Sequence, residues 1–426
     1  MAEGNDRPRV VIVGAGFGGL ACAQALGAAP VRVTVVDRHN YHLFQPLLYQ
    51  VATAALSPAD IAEPIRRILH RHRNIDVRMA EVTGVDTAGR AVRLADGARL
   101  PYDRLVIATG SVYSYFGHEA EWERHAPGLK TIENAREIRA RLLQAFEAAE
   151  VCDDAAERDR LLTTVVIGGG PTGVEMAGSV AELARYTLSR DFRRIDPTKA
   201  RILLVEAAPR ILGTFPDDLG AYAERALRDK GVQVMTGAMV ERIEADGVVV
   251  GGRKIPAATM VWGAGVKASP AARWLGVEPA KGGRIAVEAD LSVPGLPGVY
   301  ALGDTAQALG ADGAPLPGLA QVAKQQGEHL GAGLARELAG GAPVGPFRFR
   351  NRGNTAIVGR NAAVFDFGRR RLKGRLAWLL WAIVHVWLLV NFEKRLMVTV
   401  QWLWRWLTYQ RGARLITREP PDAERP

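Results

Sequence analysis

Residues 9–26 read RVVIVGAGFGGLACAQAL, and this stretch decides the fold. Four β-branched residues follow Arg9, as expected for a strand that is buried on both faces of a parallel sheet. The last seven residues have strong helix propensity. Between them, the G-x-G-x-x-G spacing puts Gly14 at a tight turn, Gly16 where a pyrophosphate approaches, and Gly19 where helix and strand pack. The stretch therefore predicts a dinucleotide-binding βαβ unit.

A second strand supports this interpretation and supplies a ribose ligand. The largely β-branched run 31–36, VRVTVV, ends at Asp37, 18 residues after Gly19. A carboxylate in this place accepts hydrogen bonds from the ribose hydroxyls of a dinucleotide and repels a 2′-phosphate. Asp37 is therefore the predicted ribose ligand of the first site.

The same pattern returns near the middle of the chain. The run 164–167 is typical of a buried strand, and it leads into Gly168, Gly170 and Gly173 at the same spacing. A helix-forming run follows at once. This second strand, turn and helix predict a second dinucleotide site.

Glu206 ends the matching strand of the second unit and favours NADH over NADPH, although Arg210 nearby is a mild counter-indication. It lies 33 residues after Gly173, so we expect inserted chain around residues 185–199. Two sites imply two bound dinucleotides. That arrangement fits electron transfer between a mobile nicotinamide and a resident flavin better than dehydrogenation of a small substrate.

Three further apolar runs end in small-residue turns that can return the chain to a cofactor. They end at Thr109 with Gly110, at Gly265 and at Asp304. At the carboxyl end of a strand, Asp304 can bind the ribityl hydroxyls of FAD. The predicted fold class is α/β, with two Rossmann-like dinucleotide-binding domains, the FAD domain being interrupted by the NADH domain.

The composition limits the other chemistries. Two cysteines in 426 residues cannot form a disulfide framework or a thiolate zinc site. Residues 38–56 contain no cysteine, Cys22 lies on the first predicted helix, and Cys152 stands alone in a polar linker, which excludes thiol redox chemistry. His70 and His72 lack an acid or thiolate at ligand spacing, and we predict no metal site.

Beyond the glycine turns, the chain closely resembles the type II NADH dehydrogenases, single-subunit flavoproteins of the glutathione-reductase-like superfamily. The specific stretches are NYHLFQPLLYQVA at 40–52, LSP at 56–58, IAEPIR at 61–66 and AQVAKQQG at 320–327. The resemblance implies non-covalent FAD, oxidation of NADH and two-electron reduction of a membrane quinone in the respiratory chain. It also implies that protons are not pumped.

The resemblance also assigns catalytic candidates. It places Gln321 and Gln325 beside the quinone headgroup, and their spacing puts both amides on one helix face. Glu175 would lie between nicotinamide and flavin, with a part in proton delivery. A polar helix face and a first-turn acid that complements the helix dipole are the plain structural alternatives. Lys394 is a candidate near the quinone without an assigned role.

The C-terminal region carries the whole formal charge of +10, since residues 369–418 contain eleven basic residues and one acid, Glu393. Six of the nine tryptophans lie between Trp378 and Trp406. A run at 376–392 and an amphipathic stripe at 396–407 predict two helices lying on an anionic membrane. A membrane span by 376–392, about 25 Å long, and a dimer interface are the alternatives. Nucleic acid is not an expected partner, because no groove-reading motif appears.

We expect three domains: an FAD domain at 1–120 and 285–345, an NADH domain at 121–284, and a membrane-associating domain at 346–426. The N-terminus has no secretory pattern, so we expect a peripheral protein on the cytoplasmic face of the cell inner membrane. A homodimer is kept as a prediction. Two rivals are a soluble reductase that feeds a ferredoxin and a flavoprotein that binds NADH as a signal.

Overall fold

A computed structural model describes residues 7–388, 392–408 and 413–416, without the side chains of 392–394 and 405–407. The side chain of Lys394, and the basic residues Arg411 and Arg418, therefore lie outside the described part. The chain divides into two compact units. Unit 1 contains the residues up to Leu43, Ala62–Val112 and Val266–Arg352. Unit 2 contains Phe44–Ile61, Tyr113–Gly265 and the described residues from Gly353 onward.

The strands are β1 (Arg9–Val13), β2 (Arg32–Asp37), β3 (Tyr41–Leu43), β4 (Ala62–Pro64), β5 (Ile75–Met79), β6 (Val82–Asp86), β7 (Ala91–Leu94), β8 (Arg99–Pro101), β9 (Arg104–Ile107), β10 (Ser111–Tyr113), β11 (Thr163–Ile167), β12 (Arg201–Val205), β13 (Val232–Met235), β14 (Val240–Glu244), β15 (Gly247–Val250), β16 (Arg253–Pro256), β17 (Thr259–Trp262), β18 (Val266–Ala268), β19 (Ile285–Ala286), β20 (Val299–Ala301), β21 (Ala306–Gln307), β22 (Asn354–Gly359), β23 (Ala362–Asp366) and β24 (Arg371–Lys373).

The α-helices are α1 (Phe17–Ala25), α2 (Leu48–Ala52), α3 (Pro58–Ile61), α4 (Ile65–Leu69), α5 (Glu119–Trp122), α6 (Ile132–Val151), α7 (Ala155–Leu161), α8 (Pro171–Glu182), α9 (Asp217–Asp229), α10 (Ala271–Leu275), α11 (Ala320–Leu338), α12 (Arg375–Leu388) and α13 (Phe392–Thr408).

Unit 1 is built on a parallel sheet in the order β20-β9-β1-β2-β5. Its central strand is buried on both faces, because Val10 and Ile12 join one apolar cluster while Val11 and Val13 join another. Helix α1 connects β1 to β2. The βαβ unit predicted from residues 9–37 is confirmed.

Helix α1 packs closely on α11. A Cβ atom added to Gly327 would lie 2.1 Å from the carbonyl oxygen of Gly18, and one added to Gly331 would lie 2.6 Å from that of Cys22. Contacts this short leave no room for a side chain, so the glycines set the distance between the two main chains. The family-specific stretch at 320–327 thus begins the helix that supports the first glycine turn.

Unit 2 contains a second parallel sheet in the order β13-β12-β11-β17. Helix α8 leads from β11 toward β12, and one π-helical turn (Leu183–Thr187) and two 3-10 turns (Leu188–Arg190 and Pro197–Lys199) follow it. These turns account for the long spacing between Gly173 and Glu206. The predicted fold class, with two Rossmann-like units of which the first is interrupted, is confirmed.

The antiparallel strands β22, β23 and β24 also belong to unit 2, and α12 and α13 follow them. Close packing joins β22 to α8, because a Cβ atom on Gly178 would lie 1.9 Å from the carbonyl oxygen of Val358. Strand β22 therefore packs on the helix that follows the second glycine turn. The domain boundaries drawn from the sequence stay predictions.

Helices α12 and α13 each expose an apolar face. The exposed large apolar residues of α12 are Leu376, Leu379, Ile383, Trp387 and Leu388, and those of α13 are Leu396, Met397, Val400, Leu403 and Trp404. Trp381 and Val398 are buried instead. Among the described residues, no helix combines the length and the hydropathy that a membrane crossing requires.

Candidate functional site

The first glycine turn (residues 14–19) is closed by the carboxylate predicted to bind ribose. The main-chain N–H of Ala15 donates to Oδ2 of Asp37 over 2.7 Å, and that of His39 donates to Oδ1 over 2.8 Å. Each carboxylate oxygen can accept a second hydrogen bond. Asp37 can therefore hold the turn and still bind a ribose hydroxyl.

Glycine fits each of the three positions of this turn for a different structural reason. Gly14 has a φ of +100°, and a Cβ atom there would lie 2.4 Å from the carbonyl oxygen of Ala108. A Cβ atom on Gly19 would lie 1.8 Å from the carbonyl oxygen of Gly14. Gly16 has nothing within 4 Å of that position. The turn is thus closely packed at Gly14 and Gly19 and open at Gly16. There the main-chain N–H groups at the start of α1 can bind a pyrophosphate.

The second glycine turn (residues 168–173) repeats the carboxylate contacts. The main-chain N–H of Gly169 donates to Oε2 of Glu206 over 2.5 Å, and that of Ala208 donates to Oε1 over 2.7 Å. The donors stand one residue into the turn and two residues past the acid, as in the first turn. Glu206 can therefore hold the second turn and still accept a hydrogen bond from a ribose hydroxyl, as Asp37 can in the first.

The glycines of the second turn also repeat the first. Gly168 has a φ of +105°, and a Cβ atom on Gly173 would lie 1.8 Å from the carbonyl oxygen of Gly168. Gly170 again has nothing within 4 Å of its Cβ position. Both turns fit a dinucleotide pyrophosphate by the same geometry.

The ends of β9 and β20 bring three predicted residues of unit 1 together. The two strands are parallel neighbours, with Ile107 opposite Ala301. Thr109 shares a hydrogen bond of 3.1 Å with the Thr305 hydroxyl, and the Thr305 hydroxyl donates to the carbonyl oxygen of Gly110 over 3.0 Å.

Asp304 lies beside them. Its Oδ2 accepts a hydrogen bond from the Ser111 hydroxyl over 2.6 Å. This edge of the sheet therefore offers a carboxylate and several hydroxyls to a polyhydroxyl chain, which is what the ribityl group of FAD requires.

Gln326 is a residue of this region that the sequence interpretation missed. It is buried, and its Oε1 accepts the main-chain N–H of Gly303 over 2.7 Å, one residue before Asp304. The only sequence indication was its place within the family-specific stretch 320–327. A buried amide in the first turns of α11 thus supports the turn that carries Asp304.

Gln321 and Gln325 also lie on α11, on one face as predicted, and both amides contact the main chain. Oε1 of Gln321 accepts the N–H of Arg352 over 3.0 Å. Gln325 accepts the N–H of Arg350 over 3.0 Å and donates to its carbonyl oxygen over 3.0 Å. The two amides therefore hold the segment that follows residue 349 against the helix.

Gly265, the predicted cofactor-binding residue after β17, lies under an aromatic ring. It has a φ of +76°, and a Cβ atom there would lie 2.7 Å from Cζ of Phe116. The Phe116 ring is exposed, and its centroid lies 6.0 Å from that of Trp262. The sequence alone did not suggest Phe116.

Glu175 lies in the first turns of α8, two residues after the second glycine turn, and it is one of the residues that line a cavity of unit 2. Burial raises the pKa of Glu175 from 4.5 to about 8, against a smaller lowering by the N–H of Ile357, 3.4 Å from Oε1. The carboxyl is therefore mostly protonated at neutral pH. Such a group can donate a proton near physiological pH.

The cavity has a volume of about 130 Å³, and its lining combines five aromatic residues with six polar or charged ones. Its lining residues are Tyr49, Gln50, Ala55, Glu175, Ser179, Glu182, Tyr186, Thr187, Ile357, Gly359, Arg360, Trp378, Trp381 and Trp402. The buried indole N–H of Trp381 has no hydrogen-bond partner among the described residues. Aromatic walls that alternate with polar groups suit a flat ligand that has an apolar ring and hydrogen-bond acceptors.

The thiol of Cys22 is shielded, and the described residues show no metal cluster. Cys22 is fully buried in α1, and burial raises the pKa of its thiol to about 12. The part of the chain that the structure describes holds no group of three or more His, Cys, Asp or Glu side chains placed to bind a metal ion. His70 instead contacts the carbonyl oxygen of Arg67 over 2.6 Å.

Comparison with known proteins gives consistent matches over almost the full chain. The sequence profile of the pyridine nucleotide-disulphide oxidoreductases matches residues 8–327. The type II NADH:quinone oxidoreductase Ndh of Mycobacterium tuberculosis is 42% identical over 430 residues, covering 98% of this chain and 92% of that protein. The type II NADH:quinone oxidoreductase of Staphylococcus epidermidis is 30% identical over 388 residues, covering 89% and 94%.

The fold is similar to that of a solved structure of NDH2 from Plasmodium falciparum in complex with NADH. The TM-score is 0.85 at 19% sequence identity, covering 95% of this chain and 99% of that one. At this identity the likeness concerns the fold, and it extends beyond the two sheets to nearly all of the chain.

Proposed function

The chain belongs to the type II NADH:quinone oxidoreductases within the pyridine nucleotide-disulphide oxidoreductase family, and we propose that it oxidises NADH through a bound FAD and reduces a membrane quinone without pumping protons. One observation carries the proposal: the carboxylate-closed glycine turn occurs twice with the same contacts. Two such turns supply two dinucleotide sites, which an enzyme that transfers electrons from NADH to a flavin needs.

FAD is assigned to unit 1. The pyrophosphate would lie at Gly16, a ribose at Asp37, and the ribityl chain at Asp304 near Thr109 and Gly110. This assignment is supported by the open Gly16 position and by the carboxylate and hydroxyls at the ends of β9 and β20. Bound FAD would supply the two-electron redox chemistry between nicotinamide and quinone.

NADH is assigned to unit 2, with its pyrophosphate at Gly170 and its adenosine ribose at Glu206. A carboxylate at this place repels a 2′-phosphate, so NADH is preferred to NADPH. Arg210, the counter-indication in the sequence, is engaged elsewhere, because its guanidinium donates to the carbonyl oxygens of Phe215 and Gly213 over 2.9 Å each.

The quinone is assigned to the cavity that Glu175 lines. Its aromatic walls and the indole N–H of Trp381 suit a flat ring with two carbonyl groups. Glu175 holds a proton that quinone reduction consumes, since a quinol carries two protons that the quinone lacks. Gln321 and Gln325 are not among the residues that line this cavity, so their place beside the headgroup stays a prediction from the family resemblance. What their amides do is fix the main chain at 350–352.

The membrane is assigned to the exposed apolar faces of α12 and α13. An interfacial helix lies with its apolar face among the acyl chains and its basic residues on lipid phosphates. Exposed tryptophans such as Trp387 and Trp404 favour the headgroup boundary. We propose a peripheral location on the cytoplasmic face of the inner membrane, where a lipid-dissolved quinone is reached, and a homodimer stays a prediction.

The test is oxidation of NADH and of NADPH by the membrane-bound protein with ubiquinone-1 as acceptor. We expect quinone-dependent oxidation that is faster with NADH, and retention in the membrane fraction until salt or carbonate extraction. A good rate to a ferredoxin without a quinone-dependent rate would support the soluble reductase instead. Recovery of the protein in the soluble fraction before any extraction would contradict the membrane assignment.

A further inference from the structure

A chain of two hydrogen bonds runs from helix α13 into the wall of the cavity. The indole N–H of Trp402 donates to Oε1 of Gln50 over 3.0 Å. Nε2 of Gln50 then donates to the hydroxyl oxygen of Tyr49 over 2.9 Å. All three side chains line the cavity.

The chemistry of the three groups allows only one order of donors and acceptors along these two hydrogen bonds. An indole N–H can only donate, whereas a glutamine amide can turn over and exchange its acceptor and donor ends. Trp402 therefore requires the oxygen of Gln50 on its own side, which leaves the NH₂ group to face Tyr49. Gln50 and Tyr49 are both buried, so water is a poor substitute for a lost partner.

The position of Trp402 is itself fixed by packing. Its ring stacks on Trp381, with centroids 5.2 Å apart and planes at 22°. The preceding residue, Gln401, donates to Oδ1 of Asp60 in α3 over 3.2 Å. Two consecutive residues of α13 thus bind the segment Phe44–Ile61, and the next two, Leu403 and Trp404, are exposed.

We propose that Trp402 is a positioning residue for the electron acceptor: its indole N–H fixes the orientation of the Gln50 amide, which holds the Tyr49 hydroxyl in the cavity wall. The inference rests on the proposed function, because it concerns the quinone half of that reaction. One face of α13 then contacts lipid while another sets the polar wall that the quinone meets.

The experiment compares Trp402→Phe with Thr399→Val in vesicles that contain anionic lipid, with NADH and ubiquinone-1. Phenylalanine keeps an aromatic ring that can stack on Trp381, and it removes the donor together with part of the indole ring system. Thr399 is exposed, and its hydroxyl bonds within α13 to the carbonyl oxygen of Arg395 over 2.6 Å, so its variant removes a donor from the same helix without reaching the cavity.

We expect Trp402→Phe to raise the KM for ubiquinone-1 roughly five- to tenfold, the effect of one hydrogen bond to a buried amide. The rate with ferricyanide, reduction of the bound flavin by NADH and binding to the vesicles should be unchanged, since none of them uses the cavity wall. Thr399→Val should leave the KM unchanged.

Gln50→Leu gives an independent measurement. It should raise the same KM, and the double variant should be no worse than the more affected single variant, because both changes break one chain of contacts. An unaltered quinone KM in Trp402→Phe, or additive effects in the double variant, would overturn the inference while the proposed function stands. Absence of quinone reduction by the wild-type protein would overturn both.

Discussion

Oε1 of Gln326 accepts the main-chain N–H of Gly303 over 2.7 Å, so a buried side chain of α11 supports the turn that carries Asp304. Gln326→Leu would leave that N–H without its acceptor, at a cost of about 1–3 kcal/mol. We expect weaker retention of FAD, measured as flavin absorbance after gel filtration. Lys324→Ala, an exposed change on the same helix, should retain FAD as the wild type does.

Substitution of Asp37 and substitution of Glu206 should affect the binding of different nucleotides. Asp37→Asn should weaken FAD binding, because the amide offers only one acceptor oxygen where the carboxylate offers two. Glu206→Gln should retain FAD but lower the preference for NADH over NADPH, measured as the ratio of their kcat/KM values. The reverse pattern would contradict the assignment of FAD to unit 1.

Gly16 and Gly170 can be replaced with little effect on stability, which allows a test of the two pyrophosphate sites. A Cβ atom on Gly16 or Gly170 meets nothing within 4 Å, so alanine there should change the free energy of unfolding by about 1 kcal/mol at most. The methyl group would nevertheless occupy the approach of a pyrophosphate. We expect Gly16→Ala to bind FAD more weakly and Gly170→Ala to have a higher KM for NADH, with near-normal unfolding curves for both.

Glu175 should make stability depend on pH. Its carboxyl has a pKa of 4.5 unfolded and about 8 folded, so the folded state binds more protons between these values. The free energy of unfolding contributed by this group therefore falls as pH rises from about 5 to about 8. Glu175→Gln should flatten that fall in urea unfolding, and an unchanged pH slope would contradict the assigned burial.

Binding to lipid should depend on the basic residues before α12. Arg369 and Arg370 are exposed, whereas Arg371 pairs with Asp218 over 2.8 Å. Each free arginine near an anionic surface contributes about 1 kcal/mol, so the double change Arg369→Gln with Arg370→Gln should weaken vesicle binding by more than tenfold at low salt. Arg371→Gln should have a smaller effect in the same flotation assay, and equal effects would argue against an electrostatic contact.

The parts of the site that depend on main-chain geometry could be predicted from the sequence. Gly14 lies at a tight turn, Gly19 at a close approach and Asp37 at a strand end, as their residue types indicated, and their binding to a cofactor stays a prediction. The amides of Gln321 and Gln325 were a different case. Their spacing predicted a shared helix face, but only the structure shows that both amides form hydrogen bonds with the main chain at 350–352.

Contacts between distant segments left little trace in the sequence. Gln50 and Trp402 are 352 residues apart, and no periodicity links an amide in α2 to an indole in α13. Tyr49 and Gln50 did stand in the family-specific stretch 40–52, which indicated importance without indicating a partner. Cavities of this kind depend on tertiary packing, which local patterns do not encode.

The carboxylates of Asp37 and Glu206 have a thermodynamic consequence for both nucleotides. Each turn is held by two hydrogen bonds between its own main chain and a carboxylate of the same unit, and neither bond needs a nucleotide atom. Preorganisation of this kind removes most of the conformational entropy that a loop otherwise loses on binding. This smaller loss of entropy applies equally to the nucleotide assigned to unit 1, which would stay bound, and to the one assigned to unit 2, which would leave after every turnover. Any difference in their residence times must therefore come from contacts outside the turns.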